Sequence, residues 1–215
     1  TLSPDRARPR MLLDLAESIA CPRCGPPQGL IVLVERMDGR RIEVGRLDCP
    51  ACEARFPLAH GRLDFRETSA RESGRQSDLV AAITDSQADA DSVVVAALFG
   101  IREGGGLLVV ESGLGKSAAG IAELSGGCEV VCLEGRSSGS HEDEPGDGAM
   151  ADCGERVTCL RGVSGDSIPI HSARALGVAL AMGGPREIDE AARILTFGGR
   201  LVILRPGPAA LTLDD

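Results

Sequence analysis

The chain has 215 residues and a formal net charge of −9, with four phenylalanines and no tryptophan or tyrosine. This length gives room for one medium domain and a smaller one, whose cores must be built mainly from Ala, Val, Leu and Ile. No apolar run reaches the length of a membrane span, and the N-terminus lacks the order of a secretory signal. Eight cysteines, four of them with metal-like spacing, fit a reducing cytoplasm better than a disulfide scaffold, so we expect a cytoplasmic protein.

The charge is unevenly divided along the chain. Residues 1–75 carry 13 arginines and 11 acidic residues, whereas residues 76–215 carry 10 basic and 21 acidic residues. The acidic second half would repel a phosphate backbone, and the first half has no interleaved basic and aromatic residues. We therefore expect no direct contact with nucleic acid.

Two short cysteine motifs lie in the first half, Cys21-Pro22-Arg23-Cys24 and Cys49-Pro50-Ala51-Cys52. Each motif places two sulfurs one turn apart, and together they supply the four thiolates that tetrahedral zinc prefers. Two redox dithiols or incidental core cysteines are the alternatives, and the duplication of the motif favours the metal. Because four thiolates fill the coordination sphere, we expect the zinc to be structural.

The predicted elements around these motifs follow the order helix, knuckle, hairpin, knuckle. The apolar spacing of Met11–Ile19 predicts a helix that leads into the first knuckle. Residues 29–35 and 41–47 are predicted strands, joined by a turn at Asp38-Gly39. This order is typical of a zinc ribbon.

In the second half, predicted strands alternate with predicted helices. This alternation predicts a parallel sheet that is covered on both faces. The predicted strands are 107–110, 129–133, 157–160, 175–181 and 200–204. The predicted helices begin at residues 91, 117 and 187, and residues 135–154 are a predicted loop.

The first of these strands runs into a glycine-containing turn, Glu111-Ser112-Gly113-Leu114-Gly115-Lys116-Ser117. Glycine permits the unusual backbone angles of such a turn and lets a ligand approach the amides at the helix N-terminus. In dinucleotide and nucleoside folds, a carboxylate that closes the next strand holds the ribose hydroxyls, and Glu134 is at that position. A tight turn that binds no ligand is the alternative.

Gly115-Lys116-Ser117 leaves a phosphate ligand open as well, because Gly-Lys-Ser cradles phosphates in P-loop proteins. The P-loop pattern requires another glycine five positions before Gly115, where this chain has Val110. No predicted strand ends in an aspartate that could hold magnesium. A P-loop-like nucleotide binder that uses Lys116 is therefore a less favoured alternative.

The remaining cysteines and histidines predict no further site. The cysteines lack knuckle spacing and are predicted to be core thiols, and each histidine is isolated from any nucleophile or acid at useful spacing. The acidic run 141–147 is predicted to be a solvated loop, since it lacks a calcium-loop pattern. The residues concerned are Cys128, Cys132, Cys153, Cys159, His60, His141 and His171.

Residues 15–24 (LAESIACPRC) and 48–65 (DCPACEARFPLAHGRLDF) resemble the small zinc-ribbon family that activates tRNA, rRNA and translation-factor methyltransferases. Members of that family follow the second knuckle with Tyr-Pro-Ile and a glycine, which Phe56-Pro57-Leu58 and Gly61 match. Arg62-Leu63 replaces the family's Ile-Pro. The resemblance implies a zinc ribbon beside a methyltransferase.

The second half resembles the class I S-adenosylmethionine-dependent methyltransferases. Glu111, Gly113 and Gly115 match the family's acid-x-Gly-x-Gly turn, and Glu134 matches its ribose-binding acid. The clearest match is residues 190–204 (EAARILTFGGRLVIL), which corresponds to the family's helix, turn and fifth strand. The resemblance implies a Rossmann-like fold with S-adenosylmethionine at these four residues.

The same half departs from the methyltransferase pattern at several positions. Ser117 replaces the third glycine, and the acid that contacts adenine is displaced to Asp166. The acid that opens the fourth strand is missing from 173–175, and only residues 182–185 separate this strand from the next helix. The sequence given stops at Asp215, before the family's closing hairpin, which predicts an open sheet edge.

We therefore predict an α/β protein in which a small zinc ribbon precedes a truncated doubly wound parallel sheet of the Rossmann-like methyltransferase type. The predicted boundaries are a mobile arm at 1–10, the ribbon at 11–66, a linker at 67–77 and the second domain at 78–215. No catalytic residue is predicted. The leading hypothesis is a pseudoenzyme, a non-catalytic binding or scaffold subunit whose open sheet edge is covered by a protein partner. An active S-adenosylmethionine-dependent methyltransferase is the alternative.

Overall fold

The structure is a computed structural model that describes residues 9–66, 85–101, 105–111, 114, 118–134, 154–163, 167–181 and 184–204. Several predictions fall outside these residues. They are the linker, most of the arm and of the loop at 135–154, and the turn residues Gly113, Gly115 and Lys116.

The described residues form twelve strands, three α-helices and a short 3-10 helix at Leu13–Ser18. The strands of the first half are β1 (Met11–Leu12), β2 (Ala20–Cys21), β3 (Gly25–Gly29), β4 (Ile31–Asp38), β5 (Arg41–Asp48), β6 (Arg55–Ala59) and β7 (Arg62–Asp64). Those of the second half are β8 (Leu107–Glu111), β9 (Glu129–Glu134), β10 (Val157–Arg161), β11 (Ala175–Leu180) and β12 (Leu195–Ile203). The helices are α1 (Asp85–Phe99), α2 (Ala118–Leu124) and α3 (Pro185–Ile194).

The segment predicted as an α-helix at Met11–Ile19 is instead β1, the 3-10 helix and a bridge residue. β1 pairs with β5, and Ile19 forms an antiparallel bridge with Ile170 in the second half. Leu15 and Ala16 are buried, so the apolar spacing still serves the core. Pairing at both ends of so short a segment overrides its helical spacing.

β4 and β5 form the predicted antiparallel hairpin, and Asp38 pairs with Arg41 across its end. The two residues of the turn are thus Gly39 and Arg40, one position later than predicted. Gly39 has a φ of +57°, the left-handed conformation that two-residue hairpin turns need. β5 continues into an antiparallel meander with β6 and β7.

Five parallel strands in the order β10-β9-β8-β11-β12 form the second half of the sheet. Counted from β8, this order is 3-2-1-4-5, as in doubly wound Rossmann-type sheets, and it reverses between β8 and β11. The predicted α/β fold class with a parallel sheet is confirmed.

The two halves of the chain share one sheet. β7 pairs in parallel with β10, with Leu63 opposite Leu160 and Asp64 opposite Arg161. The sheet is consequently continuous from β5 through β7 and β10 to β12. β7 is absent from the predicted elements because three residues are too few to give a periodic signal.

Two hydrophobic clusters cover the two faces of the parallel strands. On one face, α1 and α2 contribute Phe99 and Ile121 to a cluster with Val110 and Val130. On the other face, buried residues of the first half and of α3 belong to a single cluster with the sheet. This second cluster includes Met11, Leu15, Ile19, Leu63, Val109, Val131, Leu180 and Ile194. The N-terminal half therefore covers part of a face that helices alone cover in a typical doubly wound fold.

Candidate metal centre and nucleoside-binding edge

The sulfurs of the two knuckles converge in the structure. The Sγ atoms of Cys21, Cys24, Cys49 and Cys52 all lie within 4.8 Å of one another. Sγ of Cys21 is 3.7 Å from Sγ of Cys52, and Sγ of Cys24 is 3.8 Å from Sγ of Cys49. A tetrahedron with Zn–S bonds of about 2.3 Å separates its sulfurs by about 3.8 Å, so the four cysteines can hold one zinc ion.

The surroundings of the sulfurs suit a bound cation. Burial alone would raise the pKa of Cys49, but the backbone N–H groups of Cys52 and Ala51 donate to its sulfur and lower the pKa to about 7. The pKa of Cys24 is raised to about 12, mainly by its hydrogen bond with Cys52 and secondarily by burial. Four adjacent thiols cannot all ionise without a cation, and zinc would supply that charge. With four sulfur ligands, such a site has no position left for substrate.

The first knuckle is braced by the segment that precedes β11. Beside the Ile19–Ile170 bridge, the N–H of Ala20 donates to the carbonyl of Pro169 at 3.0 Å, and the N–H of His171 donates to the carbonyl of Ser18 at 2.9 Å. These bonds immediately precede Cys21 in β2. The position of the first metal ligand thus depends on residues about 150 positions away in sequence.

An ion pair on α3 holds this bracing segment. Arg193 donates to the carbonyls of Ile168 and Ile170, each at 2.8 Å, and lies 2.7 Å from Glu190. Glu190 in turn accepts the N–H of Ile168 at 3.1 Å. The Glu-x-x-Arg pattern within residues 190–204, part of the resemblance to methyltransferases, therefore supports the segment that braces Cys21.

Arg193→Met is expected to lower the free energy of unfolding by about 1–3 kcal/mol, because the carbonyls of Ile168 and Ile170 and the Glu190 carboxylate each lose a charged donor. Urea denaturation of the zinc-loaded protein measures this change. Arg186→Met, at an exposed position in the first turn of the same helix, is the matched control and should change stability by less than about 0.5 kcal/mol. Equal effects of the two variants would contradict the bracing role.

The predicted cofactor acids lie at the carboxyl ends of two adjacent parallel strands. Glu111 ends β8 and Glu134 ends β9, and Glu111 is opposite Leu133, the residue before Glu134. Both carboxylates are partly exposed at the edge where doubly wound folds bind their ligands. The other two predicted residues, Gly113 and Gly115, lie outside the described residues.

The Glu111 side chain connects the end of β8 with the end of β11, the two strands between which the strand order reverses. Its Oε2 accepts the N–H of Ala181, the residue that follows β11, at 2.9 Å. The crevice between β8 and β11 is the position at which doubly wound folds bind ligands, and here an internal hydrogen bond crosses it. Only residues 181–184 separate β11 from α3, which begins at Pro185. The sequence singled out Glu111 but not its bond with Ala181, because the two residues are 70 positions apart.

Glu134 faces a cation on the neighbouring strand. Nε of Arg161 lies 3.2 Å from Oε2 of Glu134, and Arg161 is also opposite Asp64 of β7. Burial alone would raise the pKa of Asp64, but hydrogen bonds from Arg66 and the charges of Arg66 and Arg161 lower it. Asp64, Arg161 and Glu134 form a charged row across three strands. No local sequence pattern indicates this row, because cross-strand register alone brings its members together.

Within the described part of the chain, the cysteines outside the knuckles and the histidines form no additional metal cluster. Cys128, Cys132 and Cys159 are buried in the hydrophobic cluster beneath α1 and α2. Nδ1 of His171 forms a hydrogen bond with the carbonyl oxygen of Pro26, whereas Nδ1 of His60 is buried without a hydrogen-bond partner. None of the helices that the structure describes is long and apolar enough to cross a membrane.

No protein-family model matches the sequence, and no curated protein matches it either. The resemblance to zinc-ribbon activators therefore stays a prediction. Solved structures are distantly similar to this chain, and one of them serves as the example. It is a Methanococcus maripaludis protein assigned as an S-adenosyl-L-methionine-dependent methyltransferase, 13% identical with a TM-score of 0.31, and the match covers 61% of this chain and 68% of that chain. The doubly wound fold of this chain follows from its own strand order.

Proposed function

We propose that this chain is a zinc-stabilised, non-catalytic subunit with a methyltransferase-like fold, and that it acts by binding a protein partner. The observation that carries the proposal is the hydrogen bond from Ala181 to Glu111. It occupies the reversal point of the sheet, where a cofactor and its acceptor would have to meet. A ligand at this point would first have to displace a bond that the protein makes with itself.

The state of the second acid supports the same proposal. Glu134 would need both carboxylate oxygens for ribose hydroxyls, and one of them already faces Arg161. The connection between β11 and α3 is short, although many methyltransferases carry substrate residues there. A scaffold subunit needs neither a free Glu134 carboxylate nor substrate-binding residues between β11 and α3.

The partner is proposed to cover the outer edge of β12. Within the described part of the chain, β12 pairs only with β11, so its other edge is available for a strand or helix. Phe197, in the irregular stretch of β12 between Leu195 and Arg200, is fully exposed and adds an aromatic side chain of the kind that anchors protein interfaces. A partner that packs against β12 would bury both features.

Isothermal titration of the zinc-loaded protein with S-adenosylmethionine and S-adenosylhomocysteine tests the proposal. The expected result is no saturable heat, that is, a dissociation constant weaker than about 1 mM. Glu134→Ala should give the same flat titration. Micromolar binding by the wild type that Glu134→Ala abolishes would overturn the proposal.

That outcome would favour the second candidate function, an active S-adenosylmethionine-dependent methyltransferase. Its support is the position of Glu134 at the carboxyl end of β9 in a sheet of the right order. Glu111, Gly113 and Gly115 would then complete the cofactor site. A P-loop-like nucleotide binder predicts instead that ATP or GTP binds and that Lys116→Ala abolishes the binding.

A further inference from the structure

We propose that Arg161 keeps the nucleoside-binding edge closed by holding Glu134 in an internal ion pair, and that Asp64 of the N-terminal half competes for the same guanidinium. This inference rests on the proposed function, because it names the residue responsible for the weak ribose binding that the function requires. Through Asp64, the N-terminal half would then affect how readily the Glu134 carboxylate can bind a ribose.

The register of three strands carries the inference. β10 lies between β7 and β9, and Arg161 is directly opposite Asp64 on one side and Glu134 on the other. All three side chains therefore point to the same face of the sheet, at its carboxyl edge. Arg161 and Glu134 are partly shielded, with 37% and 28% of their side chains exposed. A single guanidinium thus lies between two carboxylates.

The pair with Arg161 opposes ribose binding for a geometric reason. A carboxylate that holds a ribose accepts hydrogen bonds from its hydroxyls, whereas a guanidinium N–H donates to the same oxygens. Nε of Arg161 is 3.2 Å from Oε2 of Glu134, so a bound nucleoside would have to displace this donor. Ion pairs at this degree of exposure change binding equilibria by up to about fivefold.

Arg66 sets the strength of the competition. Asp64 accepts from Nε of Arg66 at 3.0 Å, from Nη2 at 2.6 Å and from the Arg66 backbone N–H at 2.9 Å. Because these bonds engage the Asp64 carboxylate, Asp64 competes only weakly for Arg161, and Arg161 pairs with Glu134. Removing the Arg66 side chain would turn Asp64 toward Arg161, and Glu134 would be released.

Equilibrium binding of S-adenosylhomocysteine to purified, zinc-loaded full chains tests the inference. Arg161→Gln is expected to bind more tightly than the wild type, by up to about fivefold. Arg66→Gln should give a smaller gain in the same direction, and adding Asp64→Asn to it should cancel that gain. Free adenine, which has no ribose, should show no gain. Arg156→Gln, just before the opposite end of β10, is the control and should match the wild type.

The outcomes separate this inference from the proposed function. Equal binding of S-adenosylhomocysteine by the wild type and Arg161→Gln, including no measurable binding by either, overturns the role of Arg161. A wild type that binds at micromolar concentration overturns the proposed function, while the ratio between the variants still tests Arg161. Thermal unfolding checks each variant, and if Arg161→Gln fails to fold, Arg66→Gln and its double variant decide.

Discussion

Cys49→Ser is expected to abolish stoichiometric zinc binding and to lower the free energy of unfolding by at least about 3 kcal/mol. Structural zinc sites bind with apparent free energies of about 10–16 kcal/mol in isolated fingers, and much of this becomes folding free energy. For a chain of this size, a loss of about 3 kcal/mol lowers the melting temperature by about 10 °C. Elemental analysis and thermal unfolding followed by circular dichroism measure the two effects.

The destabilisation should reach the parallel strands as well. Cys21 and Cys49 belong to the same hydrophobic cluster as residues of β8, β9 and α3. We therefore expect a single cooperative transition at a lower temperature, and no separate early transition of the N-terminal half. Cys128→Ser, at a buried cysteine outside the knuckles, is the control: it should lose stability but keep one zinc per chain. Full zinc occupancy in Cys49→Ser, or none in the wild type, would contradict the metal centre.

Arg41→Met is expected to destabilise the protein by about 3 kcal/mol, the lower end for buried ion pairs, because it leaves a largely buried carboxylate without its partner. Arg41 in β5 binds Glu129 in β9 through two contacts, Nη2 to Oε1 at 2.6 Å and Nη1 to Oε2 at 3.2 Å. Only 16% of the Arg41 side chain and 12% of the Glu129 side chain are exposed. Arg41 also donates to the carbonyl of Glu155 at 2.9 Å, so one side chain ties the hairpin to two segments of the second half.

Urea denaturation measures this loss, and an exposed pair in the same strand gives the comparison. Arg46 lies 3.2 Å from Asp48, with 44% of its side chain exposed, so Arg46→Met should cost no more than about 1 kcal/mol. Adding Glu129→Met to Arg41→Met should recover part of the lost stability, because the orphaned charge is then removed. If Arg41→Met costs no more than Arg46→Met, the ion pair does not hold the two halves together.

The cluster of four cysteines was predictable from sequence because each knuckle encodes its own geometry. Two residues between cysteines fix the separation of their sulfurs, and only the return of the chain between the knuckles had to be inferred. The parallel sheet was predictable for a similar reason, since buried strands such as Leu107–Glu111 are continuous apolar runs. In both cases the signal is local.

The contacts at the carboxyl edge of the parallel strands were not predictable, because none of them is local in sequence. The bond between Ala181 and Glu111 and the pair of Arg161 with Glu134 depend on which strands become neighbours and in what register. The same holds for Met11–Ile19. Its apolar spacing is helical, but its first residues pair with β5 and its last residue pairs with Ile170. Local periodicity competes poorly with tertiary pairing in so short a segment.

The parallel pairing of β7 with β10 also has a consequence for biosynthesis. The two strands are separated by roughly 100 residues of sequence, so the ribosome releases the first long before the second. Until then β7 in the nascent N-terminal half lacks its β10 partner, and we expect zinc binding at the four cysteines to order this half early. Once metallated, it offers a template on which the later strands can assemble.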